Sequence, residues 1–191
     1  MNNISNIYAS YIIIGINFIV FIIETAVGGS TTRTDVAIRF GAQTTSKLKS
    51  GQLYRLVTSM FVHFGVAHLA MNMYSLYAIG PALELILGKT WFLIIYFVSG
   101  ISGNLLTWKV ESKTHKNTVS AGASGAIFGL LGVYLVVAIL LKDQYNFPIR
   151  GIVITLAINI IYGLVNKRIN MSAHIGGLIG GVVTIFVLLL I

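Results

Sequence analysis

Long apolar stretches recur along the chain, separated by shorter polar ones. Six of them approach the ~20 residues that an α-helix needs to cross a ~30 Å hydrocarbon layer. They run over about 7–27, 57–80, 90–108, 122–141, 149–165 and 173–191. Backbone polar groups in lipid must be satisfied inside their own segment, so each run is expected to be helical. The pattern predicts an all-α membrane protein with six transmembrane helices. No linker, low-complexity tract or repeat divides the chain, so residues 1–191 are expected to form a single domain. The connection over 28–56 is the exception among the short loops: it is rich in Thr and Gly, carries Arg33, Arg39, Lys47, Lys49 and Arg55, and is long enough to be expected to have a task. No basic leader with a small-residue cleavage site precedes the first run, which is expected to stay as a helix.

Composition agrees with this reading. Of 191 residues 56% are hydrophobic and 9% charged, against about 25% charged in a soluble domain. With a mean hydropathy of +0.87, a water-soluble fold is excluded. A formal charge of +8 would suggest nucleic acid in a soluble protein, but the 13 Lys and Arg residues fall mostly between apolar runs. Contact with anionic headgroups accounts for them, so membrane lipids and not nucleic acid are the expected partners. Cysteine is absent, which removes disulfides, thiolate metal sites and a cysteine nucleophile together.

Polar side chains at membrane depth are costly, and each needs a partner or a purpose. His63, His68 and Asn72 lie in or near the second run, Ser124 starts the fourth and His174 starts the sixth. Consecutive spans alternate direction, so these five groups converge on one side of the membrane. His68 and Asn72, four apart, share a helix face and can donate toward one point. Ser124 sits where unpaired N–H groups and the positive end of the helix dipole would favour developing negative charge. His174 is positioned to take a proton from it. Taken singly, capping explains a serine at a helix start, and an interhelical hydrogen bond explains a membrane histidine. Their conjunction is what favours a site, and periodicity alone leaves the choice open.

Glycine clusters in the same two runs: Gly122, Gly125, Gly129 and Gly132, then Gly176, Gly177, Gly180 and Gly181. Gly125/Gly129 and Gly177/Gly181 are small-xxx-small pairs that let helices approach closely in lipid. Runs four and six are therefore expected to touch.

Three motifs occur in order: His63-Phe-Gly-Val-Ala-His68-Leu-Ala-Met-Asn72, Gly122-Ala-Ser124-Gly125, and Ala173-His174 followed by Gly177 and Gly181. From about Tyr54 to the end, the chain resembles the rhomboid family of intramembrane serine proteases. The resemblance implies a rhomboid-like six-helix bundle that cleaves transmembrane segments of other membrane proteins near the outer face, in a bacterial-type cell membrane. It implies Ser124 as nucleophile and His174 as general base, with His68, Asn72 and the Ser124 backbone N–H as oxyanion hole. His63, Gly122 and Gly125 would support the site. Tyr54-Arg55 stands where relatives have Trp-Arg, and Glu84 matches an acid that steadies the fold. Phe128 replaces a tyrosine found under the histidine in many relatives. No cofactor or metal is implied. A substrate helix would approach past the fifth span, with 165–171 as a cap, and the absence of a nearby acid implies a two-residue dyad.

A cytoplasmic N-terminus, as in the family, would leave only Lys89, Lys142 and Arg150 in cytoplasmic loops and ten basic residues outside, against the positive-inside rule. Two readings of other classes compete: a small transporter or channel with a His/Asn pathway, and a catalytically inactive relative that binds membrane proteins. Zinc-protease and aspartyl intramembrane chemistries are excluded, since there is no His-Glu-x-x-His and no pair of intramembrane aspartates.

Overall fold

The computed structural model describes residues 8–143, 148–166 and 169–190. Among them, the regular elements are helices: α1 (Ala9–Gly28), α2 (Thr34–Arg39), α3 (Thr45–Lys49), α4 (Arg55–Thr58), α5 (Gly65–Leu87), α6 (Lys89–Thr114), α7 (Ser124–Leu140), α8 (Ile149–Val165) and α9 (Met171–Leu189), with a 3₁₀ turn over Ser59–Phe61. The only extended pairing among them is an isolated antiparallel bridge between Gln43 and Ser120.

Each of the six predicted runs contains a long helix. By length and composition α1, α6 and α9 can each cross a membrane, and a fourth crossing is reached if the broken pair Arg55–Phe61 and Gly65–Leu87 counts as one. Helices α7 and α8 are apolar but shorter, at 17 residues each. Residues 7 and 191 of the outer runs, and 167–168 of the loop expected to act as a cap, lie outside the described residues.

The second run departs from expectation. The sequence places it over 57–80, but the helical segments Arg55–Phe61 and Gly65–Leu87 meet at 97°, and the long helix covers Gly65–Leu87, passing through Pro81. The break lies at Phe64 and Gly65; Gly65 has φ +81°, a conformation that side chains with a Cβ rarely adopt. The apolar residues before it form a short helix and turn that lie across the end of the bundle. His63 is thereby placed at a corner.

Helix α9 is the centre of the packing and lies against both α6 and α7. A Cβ on Gly177 would collide with the Gly125 carbonyl oxygen, and one on Gly181 with the Gly129 backbone, so the expected contact of runs four and six is made through glycine. On the other side, a Cβ on Gly176 would lie 2.7 Å from the Ser102 carbonyl oxygen of α6. Lipid gives no hydrophobic drive for helix association, so this close backbone approach is what joins the three.

The 28–56 connection folds back over the end of the bundle where α5, α7 and α9 begin. The guanidinium of Arg55, 6% exposed, donates to the carbonyls of Ile38 (2.7 Å) and Ala42 (2.8 Å) and to Gln52 Oε1 (2.8 Å). Gln43 exchanges two 2.9 Å backbone hydrogen bonds with Ser120, and its Nε2 donates to the Asn104 carbonyl at 3.0 Å. Thr45 donates to Glu111 at 2.7 Å. The loop's task is to brace the segment that leads into Ser124. At the opposite end, Glu84 accepts from the N–H groups of Ala9 (2.6 Å) and Ser10 (3.0 Å), the first two residues of α1. A carboxylate at a helix N-terminus satisfies orphan donors and meets the positive end of the dipole.

Candidate active site

Ser124 opens α7 and His174 lies one residue beyond the first turn of α9. The glycine contacts between these helices bring Ser124 Oγ to 2.9 Å from His174 Nε2. Phe128, one turn along α7, stacks flat on the imidazole with ring centroids 4.0 Å apart and planes within 15°. It fixes the plane of the ring without offering a hydrogen bond. The other nitrogen, Nδ1, is buried and has no hydrogen-bond partner among the described residues, so no carboxylate completes a triad there. His174 is 8% exposed and Ser124 is half-buried.

His68 and Asn72 meet the same segment from α5. Gly122 has φ +118°, and a Cβ built on it would lie 2.7 Å from His68 Nε2 and 3.7 Å from Asn72 Nδ2. Only a glycine leaves this space open, two residues before Ser124. The His68 Nδ1 accepts from the Phe64 N–H at 3.3 Å, which leaves the ring proton of a neutral imidazole on Nε2, facing the open space. Asn72 Nδ2 donates one hydrogen to the His68 carbonyl at 3.0 Å, and the amide keeps a second.

His63 is 0% exposed. Its Nδ1 lies 3.3 Å from the Phe61 carbonyl, where it donates, and Nε2 accepts the Ala123 N–H at 3.4 Å. It therefore straps the corner before α5 to the backbone beside Ser124. Gly125 faces Ala173 and Gly177 across the helix contact. Arg55 and Glu84 lie away from this cluster, in the loop brace and at the far end of α1. Such a cluster can take a proton from a hydroxyl and hold negative charge beside it with neutral donors. No group of His, Asp and Glu suited to a metal ion occurs among the described residues.

Two further residues shape the site. Asn170 caps α9 by accepting the Ala173 N–H at 3.1 Å, and its Nδ2 donates to Ser120 Oγ at 2.9 Å and Thr107 Oγ1 at 3.1 Å. Asn104 donates to the Leu56 carbonyl (2.8 Å) and Ser59 Oγ (2.9 Å), and Ser59 in turn accepts the Gly122 N–H through its carbonyl at 2.9 Å. The capping asparagine was signalled by its place just before an apolar run; Asn104, in the middle of a span, had only its polarity.

Comparison with known proteins bears on this arrangement. The family model of the rhomboid domain matches residues 50–191. The rhomboid protease GluP of Bacillus subtilis is 38% identical over 173 residues, covering 90% of this chain and 33% of GluP. The rhomboid YdcA of the same bacterium is 41% identical over 133 residues, 69% of this chain and 65% of its own length. RHOMBOID-like protein 5 of Arabidopsis thaliana is 34% identical over 155 residues, 80% of this chain and 49% of that protein. The chain thus spans from a third to just under two thirds of the relatives it matches. The domain match takes in every residue of the cluster around Ser124 and His174, the apolar helices make the molecule an integral, multi-pass membrane protein, and the chain belongs to the rhomboid family.

Proposed function

We propose that this chain is an intramembrane serine endopeptidase that cleaves transmembrane segments of other membrane proteins, and that residues 1–191 form one rhomboid domain crossing the bilayer six times. The 2.9 Å approach of Ser124 Oγ to His174 Nε2 carries this reading. With the imidazole proton on Nδ1, Nε2 takes the Ser124 proton as Oγ attacks the scissile carbonyl. The new C–O bond gives a tetrahedral oxyanion, which His68 Nε2–H, Asn72 Nδ2–H and the Ser124 backbone N–H stabilise. Collapse of the intermediate breaks the peptide C–N bond, and the imidazolium returns its proton to the leaving amine. Water, deprotonated by the same nitrogen, then releases the acyl group and restores Ser124. Two residues suffice because Phe128 holds the plane of the ring that a carboxylate orients in a triad. No cofactor enters this cycle.

The helix starts that carry Ser124 and His174 face the exterior in this reading, with Lys47 and Lys116 on the same side and Lys142 at the far end of α7. The 2.8 Å hydrogen bond from the Ser46 N–H to Asn117 supports a common face for the first two. A substrate helix enters past α8 and unwinds toward Ser124, under the cap of 165–171.

Labelling of the purified protein with a fluorophosphonate, beside cleavage of a model single-span substrate, tests the proposal. Ser124→Ala should abolish both, and His174→Ala should abolish labelling. Labelling that survives loss of His174, or cleavage that survives loss of Ser124, would sink it.

A further inference from the structure

Ser120 precedes Ser124 by four residues, and Asn170 precedes His174 by four. The two earlier side chains are bonded to each other, Asn170 Nδ2 donating to Ser120 Oγ at 2.9 Å, so a second contact lies upstream of the dyad on both strands of chain. Glycine fixes the approach of α7 and α9 on the inner side of the dyad, where Gly125 meets Ala173 and Gly177. On the outer side, the segment that enters α7 is anchored elsewhere. Ser120 exchanges backbone hydrogen bonds with Gln43, the Gly122 N–H donates to the Ser59 carbonyl and the Ala123 N–H to His63. These partners belong to the 28–56 loop and to the turn and corner before α5, and none belongs to α9. Among the described residues, the hydrogen bond that ties this segment to the start of α9 is the one at Ser120 Oγ. Asn170 is itself held in place: its Oδ1 accepts the Ala173 N–H at 3.1 Å, and its Nδ2 also donates to Thr107 Oγ1 of α6 at 3.1 Å. Both hydroxyls lie in the interior, Ser120 at 8% and Thr107 at 1% exposure.

We infer that Asn170 is a positioning residue for the dyad: its amide clasps Ser120 and, with the glycine contact on the other side, brackets Ser124 Oγ and His174 Nε2 at reacting distance. The inference rests on the proposed serine chemistry. The side chain of Asn170 bonds to neither Ser124 nor His174 among the described residues, and it acts through the backbone that carries each. Its own carbonyl accepts the His174 N–H at 3.3 Å, and Ser120 leads in four residues to Ser124. Two groups that exchange a proton in each half of the cycle depend steeply on their mutual approach. Loss of the clasp therefore slows chemistry and leaves the binding of a substrate helix alone.

The test compares variants by kcat and KM for the model single-span substrate, by labelling rate with a fluorophosphonate, and by melting in detergent. Rates are read on the alkaline plateau of each variant's pH profile, where His174 is neutral. Asn170→Ser still caps α9 but is too short to reach Ser120, and it should lower kcat and labelling roughly three- to tenfold, the scale of one hydrogen bond, with KM unchanged. Asn170→Asp also caps the helix and keeps the length of the asparagine, so the hydroxyls of Ser120 and Thr107 can donate to its carboxylate; it should stay within about twofold of the wild-type rate. Ser120→Ala removes the clasp from the other side, leaves the backbone pairing with Gln43 intact, and should slow the enzyme by the same factor as Asn170→Ser. The double variant should be no slower than either single one, because both act on one bond. An unchanged kcat in Asn170→Ser or Ser120→Ala, an Asp variant as slow as the Ser variant, a change confined to KM, or additive losses would each overturn the inference. Ser124→Ala run alongside separates the two levels: if it cleaves, the serine reading itself fails, whereas a dead Ser124→Ala beside fully active Asn170→Ser and Ser120→Ala removes only the clasp.

Discussion

Helix α7, which begins at Ser124, has two neighbours attached by opposite means. Against α9 it packs backbone to backbone, with Gly125 facing Gly177 and Gly129 facing Gly181 and no side chain between. Against α8 it packs through few side chains: Ile152, Leu156 and Gly163 are the buried residues of that helix, while Ile154, Ile158, Ile161 and Leu164 lie exposed on its outer face. The first contact cannot slide without steric collision. The second can open at the loss of a few apolar contacts, which lipid chains replace at little cost. The proposed function, which holds Ser124 and His174 together and yet admits a substrate helix, calls for both kinds of joint, and α7 takes part in each.

The comparison breaks most visibly at Gly177. Gly177→Leu drives a carbon into the Gly125 carbonyl, where both partners are backbone and neither can rotate away; a destabilisation of at least about 3 kcal/mol is expected, the upper end for overpacked interiors. Thermal melting in detergent measures it, and a variant that melts with wild type would show that the glycine contact is not the joint described here. Next in size is Asn72→Ala, which touches neither joint. It should keep the wild-type melting temperature yet slow substrate turnover by roughly 10²–10³, as loss of an oxyanion donor does in soluble proteases, less where water enters and donates in its place. Turnover equal to wild type, or activity lost only through unfolding, would remove Asn72 from the site. The smallest effect is expected at Ile158, 59% exposed on α8, where Ile158→Ala should shift stability by less than about 0.5 kcal/mol. A larger loss in a melt would mean that α8 is held as tightly as α9.

The parts of this arrangement that were legible beforehand are those where lipid makes a residue conspicuous. Ser124, His174, His68 and Asn72 stood out because a polar group in an apolar run needs a reason, and the glycine pairs because their spacing matches a helix face. The corner at Phe64 and Gly65 was not legible, since Val62, Phe64, Val66 and Leu69 continue the apolar run without a gap and hydropathy does not register a 97° change of direction. Nor was the bracing by the 28–56 loop, because Arg55 spends its charge on the carbonyls of Ile38 and Ala42, partners that no local pattern specifies. The resemblance sets Tyr54-Arg55 where relatives have Trp-Arg; the hydrogen bonds of Arg55 make it a loop anchor.

The capping of α1 by Glu84 also sets an order of events during synthesis. Ser10 and Glu84 are 74 positions apart in the chain, so at about 5–20 residues per second the ribosome delivers the cap some 4–15 s after the helix start it serves. Through that interval Ser10, Asn17 and Glu24 of α1, each 0% exposed in the folded bundle, lack part of the surface that buries them. A nascent chain that ends before Glu84 therefore holds an α1 whose first N–H groups lack this carboxylate.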